Sequence, residues 1–349
     1  MKKRLYVRSA NSDVVYISDM DIKPFFEKNK NFLEFPGLFF TDREGYDSEY
    51  KVYYNNTTEN QGIFFEDNTC IINYPIEELN QSSIVYMGYV MIEKQRAERH
   101  SLTSHSACVD YNGVGALILG KEGSGKTTTA IKMCESHGFF LVANDLSIIE
   151  YSDPKNINVI EGTKYIFLRK ESIKRNLPQL LDKFGDDKVD SWLNKVKVLP
   201  EQIGIRAKKS TKLKRAFIVH VDNSQKELKV TNGNTMVNKL YLNENFHKYK
   251  RNACTTFLNK DFEMAGFVPS FDTRQYYNER VALIDGVLNG LRLEYVSGNI
   301  EDVSAYIQHE MEKELQRTGE TDRYKSADDA SIIRWYLIER SHKWVIRIL

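Results

Sequence analysis

Gly115-Ala116-Leu117-Ile118-Leu119-Gly120-Lys121-Glu122-Gly123-Ser124-Gly125-Lys126-Thr127 runs from an apolar stretch directly into a glycine-rich loop. The loop keeps the spacing G-x-x-x-x-G-K-[ST], the pattern in which consecutive backbone N–H groups cradle phosphate oxygens. The apolar run predicts a strand ending at Leu119, and the pattern from Thr127 to His137 predicts a helix that Gly138 stops. Strand, loop and helix follow one another as the motif requires. The candidate nucleotide-binding residues are therefore Gly120, Lys121, Glu122, Gly123, Ser124, Gly125, Lys126, Thr127 and Thr128. Lys126 suits the β- and γ-phosphates, and the Thr127 hydroxyl suits Mg²⁺.

Working outward, Asn112-Gly113 lies between two apolar runs, the strongest short-range signal for a hairpin with a two-residue turn. If Tyr111 pairs with Val114, the register places His105 opposite Gly120. Downstream, Phe139-Phe140-Leu141-Val142-Ala143 predicts a strand with both faces covered, and it ends in Asn144-Asp145. In an open α/β sheet ligands sit beyond the carboxyl ends of strands, which makes Asp145 a candidate proton acceptor and Mg²⁺ neighbour, with His105 as its partner. The same aspartate could instead cap the following turn.

At 349 residues and 41% hydrophobic content the chain can bury a large core, and its length favours two domains. The pattern divides it into a strand-rich segment, 1–99, and a catalytic segment, 100–349, with charged Glu93 to His100 as the boundary. Asp13 to Ser18 and Ser83 to Ile92 are predicted strands of the first segment. In the second, Ala216 to Val221 and Leu291 to Val296 are predicted strands, Asn232-Gly233 a second hairpin turn, and Arg274 to Leu288 and Asn299 to Leu315 helices. A helical pattern also surrounds Asp190 to Val196. Ser326 to Arg340 reads as a last helix, and Trp344 to Ile348 as a last strand. The dense basic run Arg206 to Arg215 is either a solvated face or a contact for phosphate or an acidic substrate.

With 49 basic and 48 acidic residues the net charge is +1, so no global field recruits nucleic acid or an anionic membrane. No apolar run approaches the ~20 residues of a spanning helix, and a cytoplasmic location is expected. Cys70, Cys108, Cys134 and Cys254 lack metal-site spacing and are expected to be free thiols.

Taken together, Ser104-His105-Ser106-Ala107, the hairpin, the glycine loop and Leu141-Val142-Ala143-Asn144-Asp145 resemble the catalytic domain of HPr kinase/phosphorylase and its relatives. The close similarity covers about Leu102 to Glu150. It implies an α/β fold of the phosphoenolpyruvate carboxykinase type, with Asp145 as general base, His105 as its partner, and Lys126 and Thr127 as phosphate and metal contacts. The family usually has two aspartates where this chain has Asn144-Asp145, and its E-x-R-G-x-G-I signature survives only faintly, in Glu201 to Ile205. The expected activity is transfer of the γ-phosphoryl group of ATP, or alternatively GTP, with Mg²⁺. The acceptor would be the hydroxyl of a peptide, a protein or a small molecule, chosen with help from residues 1–99. Relatives are often homo-oligomers. The alternative is a nucleotide-responsive binding module with little or no turnover.

Overall fold

The computed structural model describes residues 2–28, 35–153, 156–169, 173–174, 178, 195–252 and 255–318. The chain is a mixed α/β protein built around two large sheets. The first is six-stranded, in the order β3-β1-β2-β4-β6-β5. It comprises β1 (Lys3–Ser9), β2 (Ser12–Ser18), β3 (Phe39–Thr41), β4 (Lys51–Asn55), β5 (Gly62–Glu66) and β6 (Thr69–Asn73). Short α1 (Lys23–Lys28) and long α2 (Gln81–Glu98) cover one side of it.

Ser83 to Ile92, predicted as a strand, is the body of α2, which starts at an Asn80 cap whose side chain accepts from the Ser82 N–H. The misreading has a physical cause. Nearly every residue from Ser83 to Ala97 is buried, so no polar face remains to reveal a helical period. Gly88 brings α2 against β2: a Cβ there would lie 1.9 Å from the Tyr16 hydroxyl. That hydroxyl donates to the carbonyls of Ile84 (3.1 Å) and Val85 (2.8 Å).

The second sheet has nine strands. Its main path runs β10 (Phe140–Ala143), β8 (Ala107–Tyr111), β9 (Val114–Leu119), β15 (Thr211–Val221), β12 (Asn156–Gly162), β11 (Leu146–Asp153) and β7 (Ser101–His105). Strand β19 (Leu293–Gly298) adds parallel to β15, and β16 (Lys229–Thr231) adds to β19. Two ribbons complete the strands: β13 (Ile166–Arg169) with β14 (Lys195–Val198), and β17 (Phe257–Leu258) with β18 (Met264–Gly266). One face packs on α3 (Lys126–Ser136) and α6 (Ile300–Thr318), the other on α4 (Thr235–His247) and α5 (Arg274–Gly290).

The hairpin at Asn112-Gly113 forms in the predicted register, from Tyr111 opposite Val114 to Ala107 opposite Ile118. There the ladder stops. His105 does not extend it to Gly120; it ends β7, whose partner is β11, with His105 opposite Leu146. Strand β7 continues through Ser106 into β8, and β10 continues through Asn144-Asp145 into β11, so two long antiparallel strands bend together at one point. At that bend the Ser106 N–H donates to the Asp145 carbonyl (3.0 Å).

Three other expectations change. Asn232-Gly233 does not turn a hairpin but leads into α4, whose Asn234 cap accepts from the Met236 N–H. Lys195 and Val196 belong to β14 rather than to a helix, and the remainder of that pattern, Asp190 to Asn194, lies outside the described residues. The basic run leads into β15 at the end opposite the glycine loop, because Lys212 pairs with Val114 while the loop follows Leu119. Three of its six basic side chains have partners there: Arg206 stacks on Phe140, Lys208 pairs with Asp110 at 3.0 Å, and buried Arg215 holds Glu294 (2.6 Å) and Glu310 (2.9 Å).

Arg274 to Leu288, Leu291 to Val296 and Asn299 to Leu315 match α5, β19 and α6, and Asn299 caps α6 by accepting from the Asp302 N–H (2.9 Å). Cys70 and Cys108 are buried free thiols and Cys134 a half-buried one, whereas Cys254, Ser326 to Arg340 and Trp344 to Ile348 lie outside the described residues. Among the described residues no helix is long and apolar enough to cross a membrane.

The first sheet's core is completed from far along the chain, by buried Tyr249 and Phe257, with Phe271 packed against the cluster at Phe65. A boundary at residue 99 therefore leaves out part of the N-terminal layer. The two layers are also joined by Arg96, fully buried on α2, which bonds Glu93, Thr103 Oγ1 of β7 (2.9 Å) and Ser9 Oγ of β1 (2.6 Å).

Candidate functional site

The glycine loop connects β9 to α3, as its sequence predicts. Gly120 adopts φ 154°, and a Cβ there would stand 2.1 Å from Ser124 Oγ. Gly125, the N-cap of α3, has φ 95°, and its Cβ would strike Val221 at 2.6 Å. Both positions need glycine for conformation and for space. The loop is tied to the end of β15 by the Val221 N–H, which donates to the Ser124 carbonyl (2.9 Å).

Lys126 is buried, and its ammonium donates to the carbonyls of Gly120 (3.0 Å) and Lys121 (3.2 Å). Burial pushes its pKa down, while the negative charges of Asp145 and Glu122 pull it back up. The hydroxyl of Ser124 is buried without a hydrogen-bond partner, a donor at the mouth of a helix N-terminus. These features fit a phosphate chain, which would accept from the loop N–H groups, Ser124 and Lys126. Thr127 and half-buried Asp145 offer oxygen ligands of the hard type that Mg²⁺ prefers, with phosphates and water completing the shell. Among the described residues no group of three or more His, Cys, Asp or Glu converges on a common point.

Asp145 sits at the bend between β10 and β11 with φ 66°, a left-handed conformation that aspartate tolerates better than most residues. Its neighbour Asn144 has a different task. Asn144 is buried, its N–H donates to the Thr163 carbonyl (2.7 Å), and its Nδ2 donates to the Tyr165 carbonyl (3.1 Å). Thr163 and Tyr165 in turn line a cleft of about 430 Å³, whose other wall is Phe35 to Leu38 and Phe40 of the N-terminal layer. His105 comes close to Asp145 through the β7–β11 ladder rather than through the hairpin.

Helix α4 contributes residues that the sequence did not point to. Asn245 Nδ2 donates to the His105 carbonyl (3.2 Å), and Asn245 Oδ1 accepts from Ser104 Oγ (2.7 Å). The Tyr241 hydroxyl meets the Gly120 N–H; burial pushes its pKa up to about 12, although that N–H acts the other way. Lys248 lies near enough to Lys126 for its charge to depress the Lys126 pKa further. The stretch Thr235–His247 carries almost no amphipathic helical period, and the Asn232-Gly233 turn signal before it pointed to a hairpin instead.

The site thus gathers a glycine loop with a buried lysine, a carboxylate and an imidazole on adjacent strands, and a helix face bonded to Ser104 and the His105 carbonyl. A search for similar proteins places nothing beside it: neither a protein-family model nor a curated protein matches this chain.

Proposed function

We propose that this chain is an ATP-dependent kinase of the HPr-kinase-like, P-loop type, which transfers the γ-phosphoryl group to a hydroxyl. The observation that carries the reading is the glycine loop with its buried Lys126, which donates to the carbonyls of Gly120 and Lys121, together with Asp145 at φ 66° on the bend between β10 and β11, whose negative charge pulls the Lys126 pKa up. Asp145 takes the proton from the acceptor hydroxyl as the oxygen attacks phosphorus, and His105 supports that carboxylate. The loop N–H groups and Lys126 hold the phosphates in line and stabilise charge on the transferring group. Bound Mg²⁺, held by Thr127 and near Asp145, would supply further neutralisation of the phosphate oxygens. The acceptor is a hydroxyl-bearing peptide, protein or small molecule, and the cleft between the two layers gives residues 1–99 a means of selecting it.

The test is transfer of label from γ-labelled ATP with Mg²⁺ to peptide and metabolite pools, run beside Asp145→Asn. The variant is expected to lose about 10²- to 10⁴-fold in turnover while its nucleotide affinity changes little. Absence of any labelled product from the wild type would sink the kinase reading. A second reading, a nucleotide-responsive binding module, is favoured by Asn144, which occupies the place of a second carboxylate and is committed to holding Thr163 and Tyr165. A binding module keeps its function in Asp145→Asn; a kinase does not.

A further inference from the structure

We infer that the cleft between the two layers is the acceptor subsite of the proposed kinase and that it takes a small, uncharged alcohol with an apolar body. The inference rests on the kinase reading and narrows it, from any hydroxyl-bearing acceptor to one chemical class.

The cleft is joined to Asp145 through its floor. The Asn144 N–H donates to the Thr163 carbonyl (2.7 Å) and the Thr163 N–H to the Leu146 carbonyl (3.0 Å), so one floor residue clamps both neighbours of Asp145. Gly162 packs as closely, since a Cβ there would stand 2.1 Å from that of Ala143. The chain then enters β13, whose last residue, Arg169, brings its guanidinium within 3.7 Å of the Glu122 carboxylate in the glycine loop. The segment 161–169 thus runs from the cleft, past the Asp145 bend, to the loop.

The opposite wall is fixed in shape. Phe35 is buried against Phe26 and Tyr89, ring centres 6.0 and 5.6 Å away, and the Pro36 carbonyl accepts from Ser9 Oγ (2.8 Å). Gly37, at φ 65°, turns the chain over the Glu161 side chain, which a Cβ would meet at 3.0 Å. A preformed wall has little left to order when a ligand arrives.

The lining sets the chemistry. Phe35, Leu38, Phe40 and Leu199 present carbon, and the charged groups among the described lining residues are Glu161 and Lys164, 3.4 Å apart, whose charges cancel. The Lys164 ammonium is committed to the Val142 and Lys208 carbonyls and to Glu161 Oε1, which also accepts from the Gly162 N–H (3.2 Å). Glu161 Oε2 has no bond to the described residues and is the acceptor left for a ligand. A charged ligand brings an unbalanced charge into this half-apolar space; a hydroxyl meets Oε2 without one. The volume of about 430 Å³ lies toward the low end for small-molecule sites, room for one compact body.

The experiment uses three probes with one body and three charges, neutral phenylpropanol, cationic phenylalaninol and anionic phenyllactate. Ligand-observed NMR measures their binding to full-length wild type, Leu38→Trp and Glu161→Gln, and label transfer from γ-labelled Mg·ATP is followed with the same probes. Wild type is expected to bind and label phenylpropanol at least about tenfold better than either charged probe, the value of one charge-assisted contact. Leu38→Trp, which fills the cleft, is expected to weaken phenylpropanol about tenfold with Mg·ATP affinity within about twofold. Glu161→Gln leaves Lys164 unbalanced and should shift the ratio of phenyllactate to phenylpropanol affinity about tenfold toward the anion, a ratio that does not depend on the fraction of variant folded. Equal binding of all three probes by wild type, or no effect of either variant, overturns the cleft assignment and leaves the kinase reading intact. The expected binding with no label passed to any acceptor overturns the kinase reading, and the acceptor role with it.

Discussion

At the scale of single residues, Asn144 and Asp145 divide two jobs that look alike in sequence. Asp145 turns the strand and offers a carboxylate; Asn144 is buried and gives its amide N–H to Tyr165. An aspartate at 144 could not donate to that carbonyl and would bury a charge. Asn144→Asp is therefore expected to lower stability by about 1–3 kcal/mol without raising turnover, measured by urea unfolding beside the kinase assay. A variant of unchanged stability and higher activity would show that position 144 is a vacant catalytic place instead. Lys250 offers a pH test. Its buried ammonium lacks a hydrogen-bond partner and lies 5.2 Å from the Tyr276 ring centre; burial pushes its pKa from 10.5 to about 8, against the pull of Glu279 and Glu93. The unfolded chain holds this proton up to about pH 10.5 and the folded chain only to about 8, so the lysine's cost to folding shrinks as pH rises between them. Lys250→Met should be more stable than wild type by up to about 3 kcal/mol at pH 7, an advantage that fades by pH 10. A difference in unfolding midpoints that stays constant across that range would refute the assignment.

At the scale of elements, legibility followed how far local chemistry decides the backbone. The Asn112-Gly113 turn fixed its own register, and the glycine loop announced β9 and α3, because turn residues and glycines act within a few positions of themselves. Helix α2 was hidden by its own burial, and α4 by the turn signal before it. The register expected to set His105 opposite Gly120 does not form; a separate ladder, β7 on β11, pairs His105 with Leu146, the residue after Asp145. No local pattern at Ser106 announces that the hairpin strand breaks there. The contact between α2 and β2 gives the element-scale prediction. Gly88→Ala puts a methyl carbon 1.9 Å from the Tyr16 hydroxyl in a fully packed layer. It is expected to cost about 1–3 kcal/mol or more, seen as a lowered melting temperature. An unchanged melting temperature would mean that α2 and β2 can separate freely.

At the scale of the whole molecule, the division into an N-terminal layer and a glycine-loop layer was visible as a change of texture near residue 100, but the return of residues 249–271 to the first layer was not. Such a return depends on which surfaces meet in space, and nothing in the local pattern around Tyr249 or Phe257 states it. The return has a mechanical meaning. Lys248 closes α4, the helix whose Asn245 holds Ser104 Oγ and the His105 carbonyl, and the next residue, Tyr249, is anchored in the N-terminal core against Tyr89, ring centres 6.2 Å apart. One peptide bond joins the two. A displacement of the N-terminal layer would therefore pull, through the backbone, on the helix that holds the His105 carbonyl.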